Sequence, residues 1–294
     1  MTSELMQAFP NALPNEPLSK HTSFRIGGPA DAFLLPNRIE ELVEVLEKCR
    51  MHGYPFTLIG DGTNVLVVDE GIRGIVVSTK RINSYEFTDD GKLKACAGAR
   101  LVKLAEEACN MSFDGLSFAS GIPGTIGGAV FMNAGAYGSE VGDFVESVTV
   151  YDHERKILTK EEMEFGYRKS ILQHTGMILL EVNLQLHKGI KQNIRKKMSE
   201  LGARRKETQP LDSLSAGSAF KRPKGGFAAE LIDKAGLKGL QVGGARVSDK
   251  HAGFIINTGN ASAKDVLELI ETVRLRVFES FNVCLEPEVR VLGA

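Results

Sequence analysis

The stretch from residue 121 to residue 138 contains more glycine than packing alone requires. It reads Gly-Ile-Pro-Gly-Thr-Ile-Gly-Gly-Ala over residues 121–129 and Asn-Ala-Gly-Ala-Tyr-Gly over residues 133–138. Because glycine has no Cβ, backbone N–H groups can come close to a bulky anion. A helix that begins near Gly127 would add its unpaired N–H groups and the positive end of its dipole. The stretch therefore predicts a phosphate or pyrophosphate site, with a nucleotide as the ligand.

Two familiar phosphate-binding loops do not fit the spacing. A P-loop needs Lys and then Ser or Thr after its last glycine, whereas Gly128 and Ala129 follow Gly127. A Rossmann fingerprint needs a glycine at its sixth position, and the best candidate, residues 60–65, has Val65 there. The hypothesis that remains is a nucleotide held by two separate glycine loops. For either loop taken alone, the alternative is an ordinary turn at a strand end.

Composition excludes several classes of protein. The chain has 294 residues, of which 43% are hydrophobic and 25% charged, and its formal net charge is -1. It is long enough for two or more domains, and its charge indicates neither nucleic-acid binding nor a disordered acidic tail. The four cysteines form no C-x-x-C pair and have no histidine at zinc-site spacing, so we expect neither a disulfide framework nor a metal. Without a signal-peptide pattern or an apolar run of about 18 residues, we expect a cytoplasmic protein with no membrane insertion.

Hydrophobic periodicity outlines the order of the elements. After an irregular leader, Asn37 is predicted to be a helix N-cap with Glu40 as its capping-box partner. Helices are predicted over 39–52, 101–109, 228–234 and 262–278, and strands over 56–59, 65–68, 75–77, 92–97, 145–150, 180–186, 254–257 and 283–291. The alternation over 180–186 predicts one solvated strand face. A polar, basic segment begins at Lys191, so we place a domain boundary at residue 189.

Four residues are candidates for chemistry, each with a plainer alternative. The small neighbours of Ser218 leave its hydroxyl accessible, although a serine beside glycine is usually part of a turn, and a hydrolase elbow does not fit. A period of two over 285–291 puts Glu288 on a charged strand face, or on a solvated edge strand, since Pro287 cannot donate to a central ladder. Arg168 could hold a carboxylate with two hydrogen bonds, or be an isolated surface arginine. Arg205, in a basic cluster, could steer a phosphorylated ligand, or belong to a solvated helical face.

Taken together, these motifs resemble the UDP-N-acetylenolpyruvoylglucosamine reductase family, the flavoenzymes of bacterial peptidoglycan precursor synthesis. The resemblance covers about residues 22–292 and consists of seven segments in the family's order. They are Ser-Phe-Arg-Ile-Gly-Gly at 23–28, Gly-Asp-Gly-Thr-Asn-Val-Leu-Val at 60–67, the glycine-rich 121–138, Tyr-Arg at 167–168, Ser-Ala-Gly-Ser at 215–218, Gly-Gly-Ala at 243–245 with His-Ala-Gly-Phe-Ile-Ile-Asn at 251–257, and Glu-Pro-Glu-Val-Arg at 286–290.

The resemblance implies an α+β fold in three parts. A leader at 1–21 precedes a FAD-binding domain of the vanillyl-alcohol oxidase and p-cresol methylhydroxylase type at 22–188. This domain is expected in two subdomains, about 22–78 and 79–188. A C-terminal α+β substrate-binding domain at 189–294 follows.

The resemblance also implies where ligands bind. The two glycine loops would hold the FAD pyrophosphate from both sides, and neither contains His or Cys, so we expect noncovalent FAD. The expected cofactor-binding residues are Gly60, Asp61, Gly62, Thr63, Asn64, Gly121, Gly124, Thr125, Gly128 and Ala129. The expected substrate-binding residues are Tyr167, Arg205, Lys221 and Arg222.

In the mechanism that the resemblance implies, NADPH reduces FAD and leaves. UDP-N-acetylenolpyruvoylglucosamine then accepts hydride and becomes UDP-N-acetylmuramate. Arg168 and Glu288 match the family's residues around the substrate carboxylate, and Ser218 matches its proton donor. A serine is a weak acid, so it helps only against a strongly basic intermediate held beside it. We expect the protein to be a monomer.

Two departures from the family pattern concern the substrate. Arg222 stands where the family often has an asparagine in Lys-Asn-Pro. The segment between Arg168 and Ser218 is too short for the tyrosine-bearing loop of one subclass, so the chain resembles the subclass without that loop. Two other functions stay open, a flavin oxidase that passes electrons to oxygen and a noncatalytic nucleotide-binding module.

Overall fold

The computed structural model describes residues 2–293; residues 1 and 294, at the ends of the expected leader and substrate domain, lie outside this range. The helices within it are α1 (Thr2–Ala8), α2 (Ile39–His52), α3 (Leu101–Asn110), α4 (Ile126–Phe131), α5 (Leu172–Thr175), α6 (Lys191–Thr208), α7 (Ala228–Lys234) and α8 (Ala263–Phe281). The strands are β1 (Leu13–Pro17), β2 (Pro29–Leu34), β3 (Phe56–Ile59), β4 (Val65–Val67), β5 (Ile72–Ser78), β6 (Tyr85–Phe87), β7 (Lys92–Cys96), β8 (Phe113–Asp114), β9 (Gly135–Ala136), β10 (Ser139–Glu140), β11 (Val145–Asp152), β12 (Glu154–Thr159), β13 (Ile178–Gln185), β14 (His187–Lys188), β15 (Gln241–Val242), β16 (Ala245–Val247), β17 (Ile255–Asn257) and β18 (Arg290–Leu292).

The chain packs into two compact units, each assembled from separate stretches of sequence. Unit 1 consists of Met1–Phe33, Gly62–Val76 and Lys206–Ala294, and unit 2 of Leu34–Asp61 and Val77–Arg205. Most of α6 therefore groups with unit 2 by packing. The domain boundaries given above follow the roles expected for ligands, and they stay a prediction.

Unit 2 is built on a five-stranded sheet in the order β12-β11-β13-β7-β6. The pairings are antiparallel, with Val182 of β13 opposite Val148 on one side and Ala95 on the other. From Leu180 onward, alternate residues of β13 are buried. The residues between them are half-buried, so the expected solvated face is only partly exposed. Helices α3 and α4 contribute their apolar residues to the core of this unit.

Unit 1 has its own core around the long helix α8. The apolar stripe of α8 packs with residues of α7, β16 and β17. The N-terminal segment belongs to this unit and is not the irregular leader that we expected. It forms α1 and β1, β1 pairs antiparallel with β2, and Leu5 and Leu18 are each 1% exposed. The segment is therefore a folded part of unit 1, because burial of its apolar side chains stabilises it.

Two local predictions are wrong. The N-cap of α2 is Arg38, and Glu41 rather than Glu40 turns back to accept the N–H of Asn37 at 2.8 Å. The predicted strand 283–291 is mostly irregular, since only Arg290–Leu292 forms a strand and residue 287 makes an isolated bridge. Proline cannot donate to a ladder, which interrupts the pairing there. The bounds 39–52 and 228–234 are confirmed. No helix within residues 2–293 is long and apolar enough to cross a bilayer.

Candidate functional site

The start of the first glycine loop meets the second glycine loop inside unit 2. A Cβ built on Gly60 would lie 2.4 Å from the Thr125 hydroxyl, so the first loop passes directly over the second. Ser78 fixes this loop from the other side, because its hydroxyl donates to the carbonyl of Gly60 at 3.0 Å. An alanine in place of Gly60 would force the loops apart. This contact favours a shared site over two unrelated turns.

The start of α4 differs from what we expected for an anion site. The N–H groups of Ile126 and Gly127 donate to the carbonyls of Ala99 and Ala97, each at 2.8 Å. The N–H of Gly128 donates to the hydroxyl of the N-cap Thr125 at 3.3 Å. The idea that these helical N–H groups are unpaired is therefore wrong.

The amides just before α4 are different. Within residues 2–293, the backbone N–H groups of Gly124 and Thr125 have no acceptor in the protein. Gly124 has φ +108°, a backbone conformation that glycine adopts at little cost. A Cβ on Gly128 would meet one described atom within 4 Å, the Thr125 hydroxyl at 3.7 Å, so this face of α4 is open. The open face and the two amides are the parts of this loop that the described protein leaves without a partner.

Arg205 lies against the second glycine loop. A Cβ on Gly121 would be 3.0 Å from its Cδ and 3.2 Å from its Nη1. The Nε of Arg205 is buried and has no hydrogen-bond partner among residues 2–293. Burial lowers the pKa of this guanidinium, while Tyr137 raises it. Since an arginine remains protonated in proteins, this N–H is a donor that is available to a ligand.

Asp61 and the end of the first loop make contacts within separate units. In unit 2, Asp61 lies 3.9 Å from Arg100. In unit 1, a Cβ on Gly62 would be 2.0 Å from the carbonyl oxygen of His21, so packing alone requires glycine there. The side-chain amide of Asn64 donates to the carbonyl of Glu288 at 3.2 Å. Asn64 therefore already has a structural role in unit 1.

Unit 1 brings Ser218 and Glu288 into neighbouring backbone positions. Ala219, which follows Ser218, accepts the N–H of Glu288 at 2.9 Å. Its own N–H donates to Gly253 at 2.8 Å. Backbone bridges pair Ser218 with Phe254 and Phe220 with Pro287. The Ser218 segment thus lies between the residue-254 and residue-287 segments, and its backbone is held on both sides.

The two other predicted substrate residues of unit 1 have contacts of their own. The Nζ of Lys221 forms an ion pair with Glu286. The guanidinium of Arg222 lies over the ring of Phe227, 4.4 Å from its centroid. Cation–π contact of this kind orients an arginine side chain. An asparagine at this position could not make it.

Arg168 occupies a tight turn in unit 2. The backbones of Gly166 and Lys169 bond each other in both directions, at 3.0 and 3.1 Å. Arg168 has φ +55°, a left-handed conformation that costs a non-glycine residue energy. Its Nη2 donates to the carbonyl of Gly135 at 3.2 Å, and its guanidinium lies 5.1 Å from the centroid of the Tyr167 ring. A strained backbone at a predicted catalytic arginine is consistent with function, since such strain concentrates at active sites.

Sequence reasoning missed Tyr137, which links the second glycine cluster to α6 in unit 2. Its hydroxyl donates to the carbonyl of Leu201 on α6 at 3.5 Å, close to Arg205. The signal was available, because Tyr137 is the aromatic residue of the second glycine cluster.

No group of three or more His, Cys, Asp or Glu side chains in the described part of the chain could hold a metal ion.

Comparison with known proteins identifies the class. A model of a FAD-binding domain matches residues 30–159. A model of the C-terminal domain of UDP-N-acetylenolpyruvoylglucosamine reductase matches residues 209–292. The two matches, with the α+β folds described above, define a flavin-dependent oxidoreductase.

Comparison with complete relatives identifies the family. UDP-N-acetylenolpyruvoylglucosamine reductases from Lachnoclostridium phytofermentans and Caldanaerobacter subterraneus are both 50% identical, over 285 and 281 residues. The alignments cover 95% of this chain and 92% and 93% of those proteins. The crystal structure of the reductase from Thermus caldophilus superposes with a TM-score of 0.81 at 39% identity, over 96% of this chain and 98% of that one. The chain belongs to the UDP-N-acetylenolpyruvoylglucosamine reductase family, and the expected family and fold class are confirmed.

Proposed function

We propose that this protein catalyses the NADPH-dependent, FAD-mediated reduction of UDP-N-acetylenolpyruvoylglucosamine to UDP-N-acetylmuramate. The relatives that match over nearly the whole chain carry the name of this reductase, and their likeness is the observation that carries the proposal. The reaction would supply peptidoglycan precursors for the cell wall, in the cytoplasm. We propose a monomer with noncovalent FAD, divided into a leader at 1–21, a FAD-binding domain at 22–188 and a substrate-binding domain at 189–294.

The second glycine loop would hold the FAD pyrophosphate. The open face at Gly128 and the unpaired amides of Gly124 and Thr125 belong to unit 2 and support this proposal. Backbone N–H groups of this kind are donors that a pyrophosphate can use. The proposed cofactor residues also include those of loop 60–64 together with Gly121 and Ala129. When bound, FAD would carry hydride from NADPH to the enolpyruvyl group of the substrate.

The substrate then needs charge stabilisation and a proton. Arg168 would hold the carboxylate next to the enolpyruvyl carbon, because a guanidinium binds a carboxylate with two parallel hydrogen bonds. Glu288 would act as a hydrogen-bonding acid beside it. The Ser218 hydroxyl would give its proton to the carbon next to the carboxylate, where the intermediate is a strong base. The neighbouring backbones of Ser218 and Glu288 in unit 1 support this pairing.

Four further residues would contact the substrate. Tyr167, Lys221 and Arg222 would bind the substrate, with Arg222 oriented by Phe227. Arg205 would contribute to phosphate capture. Closure over the substrate would occur without the tyrosine-bearing loop of the other subclass.

The visible spectrum of purified protein tests the function. We expect yellow protein whose flavin is bleached by NADPH and restored, without oxygen, by UDP-N-acetylenolpyruvoylglucosamine. Acid or heat should release the flavin as free FAD. Protein that stays colourless after incubation with FAD would favour a noncatalytic module. Hydrogen peroxide formed at the turnover rate would instead indicate an oxidase.

Ser218→Ala separates the two half-reactions. The variant should keep nearly wild-type flavin reduction by NADPH, because the proton is needed only afterwards. Its reoxidation by the enolpyruvyl substrate should slow by roughly 10²- to 10⁴-fold, the usual cost of losing a general acid. Stopped-flow absorbance measures both rates, with Ser280→Ala, at an exposed serine near the end of α8, as the matched control. Equal slowing of both halves would reduce Ser218 to a residue that shapes the pocket.

A further inference from the structure

The turn that carries Arg168 is fastened to the C-terminal end of α4. The side chain of Gln173 donates through Nε2 to two carbonyls, that of Phe131 at 2.8 Å and that of Arg168 itself at 3.0 Å. The hydroxyl of Ser170, which is fully buried, donates to the same Phe131 carbonyl at 2.7 Å. The last residue of α4 is thus joined through one amide group to the backbone of Arg168.

Asn133 makes a second attachment from the residues that follow α4. Its side chain is fully buried, and its Nδ2 donates to the carbonyl of Gly166 at 3.0 Å. Its Oδ1 accepts the N–H of Gly142 at 2.9 Å. Gly166 is the first residue of the Arg168 turn. Both hydrogen-bonding functions of this buried amide are therefore used, and one of them holds the turn.

These contacts hold the strained backbone of Arg168. A left-handed residue such as Arg168 persists only when its surroundings hold it there. Gln173 binds the carbonyl of the strained residue itself, and Asn133 binds the carbonyl two residues earlier. Helix α4 begins at the N-cap Thr125, within the second glycine loop. The two amides therefore set the position of Arg168 relative to the helix that starts at this loop.

We propose that Gln173 and Asn133 are positioning residues for Arg168, holding its guanidinium in register with the second glycine loop. This inference rests on the proposed function, because it assumes that Arg168 binds the substrate carboxylate. Neither side chain needs to touch substrate. A misplacement of about 1 Å at a reacting group can cost 10²-fold in rate, so loss of either amide acts through Arg168.

Gln173→Met is the main test, because methionine has a similar length and adaptable shape but no donor. We expect flavin reduction by NADPH at the wild-type rate and reoxidation by the enolpyruvyl substrate slowed about 10- to 100-fold. The matched control is Gln185→Met. Gln185 is another half-buried glutamine of unit 2 whose Nε2 donates to two carbonyls, those of Asp90 and Leu186 at 3.0 and 2.9 Å. It should leave both half-reactions unchanged.

A double-mutant cycle distinguishes positioning from general weakening of the fold. In an Arg168→Lys background, Gln173→Met should slow reoxidation by less than about 2-fold, because the residue that it positions is already gone. Full additivity of the two effects would overturn the proposal. So would wild-type reoxidation in the Gln173→Met protein.

Hydrogen exchange gives a readout that does not depend on activity. The peptide covering 164–170 should exchange faster in Gln173→Met than in wild type or Gln185→Met, since the turn loses its attachment. If wild-type protein fails to reoxidise with the enolpyruvyl substrate, the proposed function is wrong, and the exchange rates still decide whether Gln173 holds the turn. Unchanged exchange would overturn the attachment itself. The buried Asn133 is tested in the same way with Asn133→Asp, which keeps the acceptor for Gly142 and removes the donor to Gly166.

Discussion

Gly128→Ala should separate the stability of the protein from its affinity for FAD. Gly128 lies in the first turn of α4, and a Cβ there would be in ordinary contact with the Thr125 hydroxyl at 3.7 Å. Because alanine favours a helix over glycine by about 1 kcal/mol, the apoprotein should become more stable by up to that amount. For a unit of 150–250 residues this corresponds to a rise in Tm of about 2–4 °C. Most single substitutions have the opposite sign.

The same methyl group would enter the space that we assign to the FAD pyrophosphate. We expect the Kd for FAD, measured by flavin fluorescence quenching on apoprotein, to rise at least about 10-fold, the effect of losing some 1.4 kcal/mol. Gly128→Val should deplete the purified protein of flavin further. The control is Gly202→Ala on α6, where a Cβ would meet nothing within 4 Å among the described residues. Gly202→Ala should raise the Tm and leave the Kd for FAD unchanged. Wild-type FAD affinity in Gly128→Ala would refute the phosphate assignment, and a lower apoprotein Tm would refute the open face.

Three further predictions concern charge, pH and thiol chemistry. Arg205→Glu should raise the Michaelis constants of NADPH and the UDP substrate and weaken their salt dependence. Arg204→Glu is the control. A raised Kd for FAD, with both Michaelis constants unchanged, would instead assign Arg205 to cofactor binding. Burial lowers the pKa of His251, whose Nδ1 accepts the N–H of Gly253 at 3.2 Å. The neutral ring therefore stabilises the fold above the unfolded pKa of about 6.5, and this stabilisation is lost as the pH falls below that pKa. His251→Gln should lose less Tm than wild type between pH 7 and pH 5. Equal losses of Tm in the two proteins would contradict the prediction. Cys284 is exposed and the other three cysteines are buried, so a thiol reagent should label native protein once and denatured protein four times, and Cys284→Ser should remove the native label.

The sequence predicted where the glycine loops are but not which of their groups are paired. Glycine spacing identifies backbone that can approach another group closely, and the contact of Gly60 with Thr125 agrees with one shared site. The partners of the Ile126 and Gly127 amides are the carbonyls of Ala99 and Ala97. Those residues follow a strand more than 25 positions earlier, and no local pattern reports such a long-range bond. The roles of individual site residues remain predictions for the same reason.

The sequence does not reveal residues such as Asn133 and Gln173, whose proposed role depends on the hydrogen-bond partners that they find in the folded protein. Asn133 and Gln173 belong to no repeating pattern, since a single buried amide resembles any other polar residue in a sequence. The predicted strand over 283–291 is longer than the observed one. Leu285 and Val289 are buried as the period of two requires, but the hydrogen bonds of a ladder are largely absent from the described part of this segment. Periodicity reports which side chains are buried, and burial does not require a sheet.

Helix α4 connects the second glycine loop to the Arg168 turn in unit 2. It has six residues, which is too short for a helix to be stable by itself in water. Its conformation is therefore supported by burial of its apolar residues in the core and by contacts at its two ends, with Thr125 at the N-cap and the donors to the Phe131 carbonyl at the other end. The first end belongs to the glycine loop and the second end holds the turn of Arg168. We therefore expect a change at the loop to shift the arginine at the other end, about 9 Å of helix away.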